Sequence, residues 1–201
     1  MQQQTRRERK KEETRRRILD AAFKLFVEQG FENTTVDQIT ITADVGKGTF
    51  YNYFPNREAA LFEFVEDLGV RRGQKIWPGI LKLQDTRQRL AKAFQSLCAW
   101  FEEYPELLRV YLTDTINKSL RNPANYQYNH FELFLTEIIK MGQDDGDIRD
   151  DVIPQQMVDH LMGITLIQLC RWFEGGAGPG LYELTMKGAD FFLIGALSTE
   201  K

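Results

Sequence analysis

Apolar side chains recur at spacings of three and four along most of this 201-residue chain, and no segment alternates apolar with polar residues one by one. That pattern predicts an all-α protein of about nine helices. Ile18, Leu19, Ala22, Phe23, Leu25 and Phe26 form the stripe of a helix from about Thr14 to Gln29, which Gly30 stops. Val36, Ile39 and Ala43 mark a second helix; Thr34 or Thr35 can cap its start, with Asp37 or Gln38 three residues on to reach back. A third runs from about Gly46 to Tyr53. After Pro55, Asn56 can cap a fourth, whose apolar positions are Leu61, Phe62, Phe64, Val65 and Leu68 and which runs toward Trp77-Pro78-Gly79.

Beyond Asp85 the helical spacing resumes with Leu90, Ala93, Phe94, Leu97, Cys98 and Phe101, and Pro105 restarts a helix through Leu120. Pro123 is expected to open the next, with Phe131, Phe134, Leu135 and Ile138 inward, until QDDGDIRDD (143–151) ends it. Pro154 opens another that reaches Phe173. A glycine-rich loop, 174–180, precedes the last, where Leu181, Leu184, Ala189, Phe192 and Ala196, with the small Gly188 and Gly195, suit close packing on a neighbouring helix.

The stretch TTVDQITITADVGKGTFYNYF, residues 34–54, is the most informative. It reads as two short helices with only Ala43-Asp44-Val45 between them to reverse the chain, and Asp tolerates left-handed backbone better than most residues. This is the outline of a helix-turn-helix. Gly46 and Gly48 keep the front of its second helix slim enough for a major groove. Lys47 can donate to a guanine or a phosphate, and the Thr49 methyl can touch a thymine methyl.

The order ILDAAFKLFVEQGFENTTVDQI followed by GKGTFYNYFPNREAALF resembles the DNA-binding domain of the TetR family of bacterial transcription regulators, over about the first third of the chain. Thr40, Asp44 and Gly46 depart from the family pattern, standing where Ala, Gly and Ser are frequent. The resemblance implies a helix-turn-helix domain over residues 1–56, then a larger helical effector-binding and dimerisation domain over 57–201. It also implies that Tyr51, Tyr53, Arg57 and Thr34 or Thr35 contact the DNA backbone; Asn52 completes the DNA-binding set, while Phe50 and Phe54 are expected in the small domain's core. QDDGDIRDD resembles the G-x-I-R segment between the family's seventh and eighth helices.

Composition, at 42% hydrophobic and 27% charged, fits an ordinary globular protein. No stretch is apolar enough to span a membrane and no secretory leader is apparent, so a cytoplasmic location without a membrane partner is expected. The isolated Cys98 and Cys170 read as core thiols. Net charge is only −3, but residues 1–17 hold eight basic against three acidic side chains, a net +5. Such an arm beside a helix-turn-helix can neutralise phosphates.

Enzyme chemistry finds no footing. QDDGDIRDD lacks the alternate spacing and final Glu of a calcium loop, GGAGPG (175–180) lacks the Lys-Ser or Lys-Thr of a phosphate loop, and His130 and His160 stand apart without ligand-spaced partners. No cofactor or metal is expected. The expected partners are double-stranded operator DNA, a second copy of the chain and a small-molecule effector. One recognition helix sees few base pairs, so specificity needs a homodimer. Met157, Leu161, Ile164, Gly188, Phe192 and Gly195 on the last two helices are the candidate interface, the region the family resemblance also implies. Trp100, Phe101, Tyr104, Tyr111, Phe131, Phe134, Gln168 and Trp172 are the candidate lining of an effector pocket. The function expected is a repressor released from a palindromic operator by a hydrophobic or aromatic molecule that moves the fourth helices; the alternative is a DNA organiser of the same fold without an effector.

Overall fold

The protein is described by a computed structural model over residues 5–121, 128–173, 175 and 179–196. These residues are all-α: α1 (Arg6–Gln29), α2 (Val36–Thr42), α3 (Lys47–Tyr53), α4 (Arg57–Ile80), α5 (Thr86–Glu103), α6 (Pro105–Arg121), α7 (His130–Asp145), α8 (Pro154–Phe173) and α9 (Leu181–Ala196). They form two compact units, Met1–Leu68 with Tyr104–Tyr126, and Gly69–Glu103 with Gln127–Lys201.

In the first unit, Ile18, Leu19, Ala22 and Phe26 of α1 are buried together with Ile39 of α2, Phe50 of α3, Phe54, and Ala60, Leu61 and Phe64 of α4. Phe23 stacks on Phe64 at 4.1 Å between ring centroids and meets the edge of Tyr104 at 5.5 Å. Arg15 of α1 pairs with Glu63 of α4. On α6, Tyr111 stacks on Phe62 at 5.4 Å and donates its hydroxyl to Glu66 Oε1 at 2.6 Å.

Helix α1 starts eight residues before the expected Thr14 and twelve before the apolar stripe opens at Ile18. The backbone N–H of Glu8 donates to Thr5 Oγ1 at 3.2 Å and that of Thr5 to Glu8 Oε2 at 2.8 Å, a reciprocal cap. Those bonds hold the Glu8 carboxyl below its usual range. The Arg, Lys and Glu that follow are strong helix formers, so the basic arm is helical from Arg6 without an apolar face of its own.

The second unit packs α8 on α9, α5 on α9 and α7 on α5 and α8. Its buried centre includes Leu90 and Phe94 of α5, Leu135, Ile138 and Ile139 of α7, Val158 and Leu161 of α8 and Ala189 of α9. Helix α4 continues through Trp77 and Pro78, which falls in its last turn. Helix α7 starts at His130 rather than at Pro123, which lies outside the described residues. Asn129 caps it, its Oδ1 accepting the Glu132 N–H at 2.9 Å while Glu132 Oε2 accepts the Asn129 N–H at 2.7 Å. Gly146, at φ 76°, closes α7 in the left-handed region that favours glycine. Next to it the Asp147 carboxylate accepts the Thr86 N–H at 2.6 Å and the Thr86 hydroxyl at 2.9 Å, tying the α7–α8 turn to the start of α5.

Candidate functional site

Two adjacent threonines compete to cap α2, and they take different parts. Thr35 is the cap: Gln38 N–H donates to its Oγ1 at 3.2 Å and the Gln38 side chain accepts the Thr35 N–H at 2.8 Å. Thr34 is fully buried and donates its hydroxyl to the Gly30 carbonyl at 2.8 Å. The turn then closes through Asp44, at φ 51°, a conformation that Asp tolerates better than most side chains. Val45 N–H returns to the Thr40 carbonyl at 3.0 Å.

Gly46 caps α3 with backbone alone: Thr49 and Phe50 N–H groups reach its carbonyl at 2.9 and 3.2 Å. Phe50 and Phe54 are buried and fix which face of α3 stays out. That outer face presents Lys47, Gly48, Tyr51 and Asn52, all exposed, with Thr49 and Tyr53 half-buried. Lys47 Nζ lies 2.7 Å from Asp37 Oδ1 of α2, and this bond and the charge behind it raise the lysine above its ordinary pKa. Asp37 was not among the candidate contacts; its charge beside Lys47 is visible only once α2 and α3 are crossed.

Arg57 sits apart from that exposed set. Its Nη1 donates to the Phe31 carbonyl at 2.9 Å and to the Thr34 carbonyl, and its guanidinium lies 4.7 Å from the Phe31 ring centre. Thr34 and Arg57 therefore brace the turn before α2, the Thr34 hydroxyl and Arg57 Nη1 donating to backbone carbonyls while Arg57 Nη2 lies 3.9 Å from Glu58 Oε1. Thr35, Gly46, Lys47, Gly48, Tyr51 and Asn52 are the exposed members of the DNA-binding set.

The second unit holds a cavity of about 460 Å³, open to solvent and lined from α4, α5 and α7. Its walls include Val70, Ile76, Trp77, Leu97, Phe131 and Phe134, with Arg72, Gln74, Ser96, His130 and Glu137 as the polar members. Trp77 meets Phe134 edge-on at 5.2 Å. Gly69 and Gly73, one turn apart on α4, lack the side chains that would fill the space between α4 and Phe134.

The eight candidate pocket residues do not gather here. Phe131 and Phe134 line the cavity. Trp100 and Phe101 are buried side chains of α5 that take no part in its lining, nor do Gln168 and Trp172 of α8, while Tyr104 and Tyr111 belong to the first unit. The informative signal was the Gly69, Gly73, Trp77 spacing on α4, two absent side chains followed by a large one along a single face.

The candidate interface residues separate as well. Met157, Leu161 and Phe192 are buried within the subunit, and Gly188 is buried where a Cβ would stand 2.7 Å from Ile164 Cγ2, so it serves the α8–α9 contact of one chain. Gly195 is exposed. The large apolar side chains left outside on these helices include Ile167 of α8 and Phe191 and Ile194 of α9, at 53%, 73% and 73% exposure. Cys98 is buried, whereas Cys170 is exposed on α8 and is not a core thiol.

A capped α2, a reversal through a left-handed Asp and an α3 held by two buried phenylalanines define a helix-turn-helix DNA-binding protein. Residues 18–64 match the sequence profile described as bacterial regulatory proteins, tetR family. The transcriptional repressor DhaR of Mycobacterium sp. (strain GP1) is 28% identical over 166 residues, which cover 74% of this chain and 76% of DhaR. The transcriptional repressor NicS of Pseudomonas putida is 28% identical over 143 residues, 69% of this chain and 68% of NicS. The crystal structure of Thermus thermophilus FadR, a TetR family repressor in complex with lauroyl-CoA, superposes with a TM-score of 0.79 at 26% identity, covering 93% of this chain and 97% of that one. Residues 18–64 are thus a TetR-type DNA-binding domain, and the chain is a DNA-binding transcription regulator. Among its described residues no helix is long and apolar enough to cross a membrane.

Proposed function

We propose that the protein is a homodimeric cytoplasmic repressor that holds a palindromic operator and leaves it when an apolar or aromatic molecule enters the cavity between α4, α5 and α7. The observation that carries this reading is that one helix serves both tasks. The start of α4 buries Ala60, Leu61 and Phe64 in the unit that contains α2 and α3, and its later residues Val70, Gly73, Ile76 and Trp77 wall the cavity. A ligand that prefers one position of α4 over another therefore biases the reader, in proportion to its differential affinity for the two states. Repressors among its relatives, and lauroyl-CoA bound by FadR, support a repressor whose effector carries an apolar chain.

Residues 1–56, in this reading, hold the DNA, with Thr35, Gly46, Lys47, Gly48, Thr49, Tyr51, Asn52 and Tyr53 at the duplex. Residues 57–201 carry the effector and the dimer. Pairing runs through the outer faces of α8 and α9, where Ile167, Phe191 and Ile194 are otherwise in water. Two reading heads then meet successive major grooves about 34–36 Å apart, or a multiple of that.

The test is selection of duplexes from a random pool, followed by titration of the selected operator complex with a panel of apolar molecules. A palindromic half-site and release by at least one compound are expected. A selected operator that no compound releases would leave the DNA organiser in place of the ligand-responsive repressor.

A further inference from the structure

Arg72 of α4 lines the cavity with its charge unneutralised. One guanidinium nitrogen, Nη1, donates to the Ser96 carbonyl at 3.2 Å, and among the described residues no carboxylate lies within ion-pair distance. A guanidinium carries five N–H donors, so this single bond leaves most of them to whatever fills the cavity. Around it the walls are hydrocarbon and aromatic ring. The one carboxylate among the lining residues, Glu137, is exposed, where solvent screens its charge.

These facts constrain what can enter. An apolar body that displaces water strips the guanidinium of hydration, a cost that a neutral ligand leaves uncompensated and a cationic ligand makes worse. A ligand that carries its own anion restores it through charge-assisted hydrogen bonds. The first turn of α7, whose His130, Phe131 and Leu133 line the same cavity, adds the positive end of a 16-residue helix. Its Asn129 and Glu132 N–H groups are already taken by the reciprocal cap.

We propose that the cavity selects apolar molecules bearing a terminal anion, a carboxylate or a phosphate ester, and that Arg72 is the residue that reads the charge. This rests on the effector reading of the same cavity and specifies its ligand class. Volume and walls provide for the apolar body, at the lower end of the range of about 300–1,000 Å³ usual for small-molecule sites. The guanidinium sets the sign of the head.

The experiment uses the full chain and four probes of matched apolar length: dodecanoate, lauroyl-CoA, 1-dodecanol and dodecyltrimethylammonium. Binding is read by quenching of tryptophan fluorescence, since Trp77 is in the wall, and by release of a labelled operator. At least one of the two anions is expected to bind about tenfold more tightly than the alcohol, the size of one hydrogen bond to a charged group. Which anion does so tells a carboxylate head from a phosphate head. In Arg72→Gln, which keeps a donor for Ser96, that advantage falls to within about threefold, and Arg72→Lys recovers part of it. The proposal is overturned if the quaternary ammonium binds the native protein as tightly as the anions, or if Arg72→Gln keeps the anion preference. Alcohol binding without an anion preference also defeats it while leaving the effector cavity standing. Failure of all four probes to bind removes the apolar-effector reading and this one with it.

Discussion

Lys47, the first residue of the recognition helix, donates to Asp37 of α2 at 2.7 Å, and both side chains are exposed. The lysine proposed to reach into a major groove is thus held by a carboxylate on the same surface. An acidic group there opposes every phosphate near it, and the paired lysine is not free to hold arbitrary DNA. Asp37→Asn releases the lysine while keeping the shape. Binding to non-cognate duplex should rise by roughly threefold to tenfold at low salt, and the slope of log K against log salt should steepen by about 0.9, one more neutralised phosphate. The readout is salt and not pH. Asp37 raises the lysine pKa, and its loss lets that value fall back toward the ordinary one, so Lys47 stays protonated at neutral pH in both proteins. Fluorescence anisotropy on operator and scrambled duplexes tests this, and an unchanged slope with an unchanged ratio of the two affinities counts against it.

Phe191 and Ile194 project from α9 on the side opposite Leu181, Thr185, Gly188, Ala189 and Phe192, which are buried in the subunit. A helix apolar on both sides needs cover on both. Phe191→Glu with Ile194→Glu should give a folded monomer at micromolar concentration by sedimentation, with operator affinity reduced more than tenfold. Leu161→Ala should do the reverse, keeping the dimer but lowering stability by about 2–5 kcal/mol, because Leu161 is wholly buried in its own chain. Dimers of unchanged strength in the double glutamate variant would move the interface elsewhere.

How far the chain discloses its structure depends on where the deciding partner lies. Helix α8 is readable to its ends, Pro154 and Phe173, because proline opens it and its apolar residues recur at helical spacing. The turn at Asp44 is readable because few side chains accept its backbone. The role of Arg57 is not, since the carbonyls that hold it lie 26 and 23 residues upstream and carbonyls carry no sequence signature. Nor is the choice between Thr34 and Thr35, two adjacent hydroxyls of which one turns inward to Gly30. The N-terminal third of α1 escaped because charged residues form helices without an apolar stripe to announce them. The cavity escaped because a gap is made by what α4 lacks at Gly69 and Gly73.

Gly142 of α7 fills a place that no side chain can share. A Cβ there would fall inside contact distance of the Thr86 hydroxyl and 2.8 Å from Asp147 Oδ1, the two groups that tie the α7–α8 turn to α5. Gly142→Ala should therefore destabilise by about 1–3 kcal/mol, although alanine is the better helix former by about 1 kcal/mol. Asp147→Asn should cost about 1–2 kcal/mol through weaker acceptance of the two Thr86 donors. Urea denaturation measures both. Gly69→Ala is the control: nothing lies within 4 Å of its Cβ position, so helix propensity alone acts and the midpoint should rise.

The two thiols should part company chemically. Cys98 is buried between α5 and α9 with its sulfur 3.7 Å from Thr185 Oγ1, and burial pushes its pKa up to about 11. Cys170 is exposed on α8. At pH 8 an alkylating reagent should therefore modify one thiol per native chain, Cys170, and reach Cys98 only as the protein opens. The same shift makes a pH term in stability. Below pH 9 both folded and unfolded chains keep Cys98 protonated and the contribution is whole. Between pH 9 and about 11 the unfolded thiol ionises first, its ordinary value being 9.0, so the unfolded state gains and stability falls, by about 2–3 kcal/mol at the limit. Cys98→Ala should remove that part of the alkaline decline while losing some packing at every pH. Denaturation midpoints for native and Cys98→Ala protein from pH 8 to 11 give the comparison; parallel curves across that window would mean that the buried thiol does not set the alkaline limit.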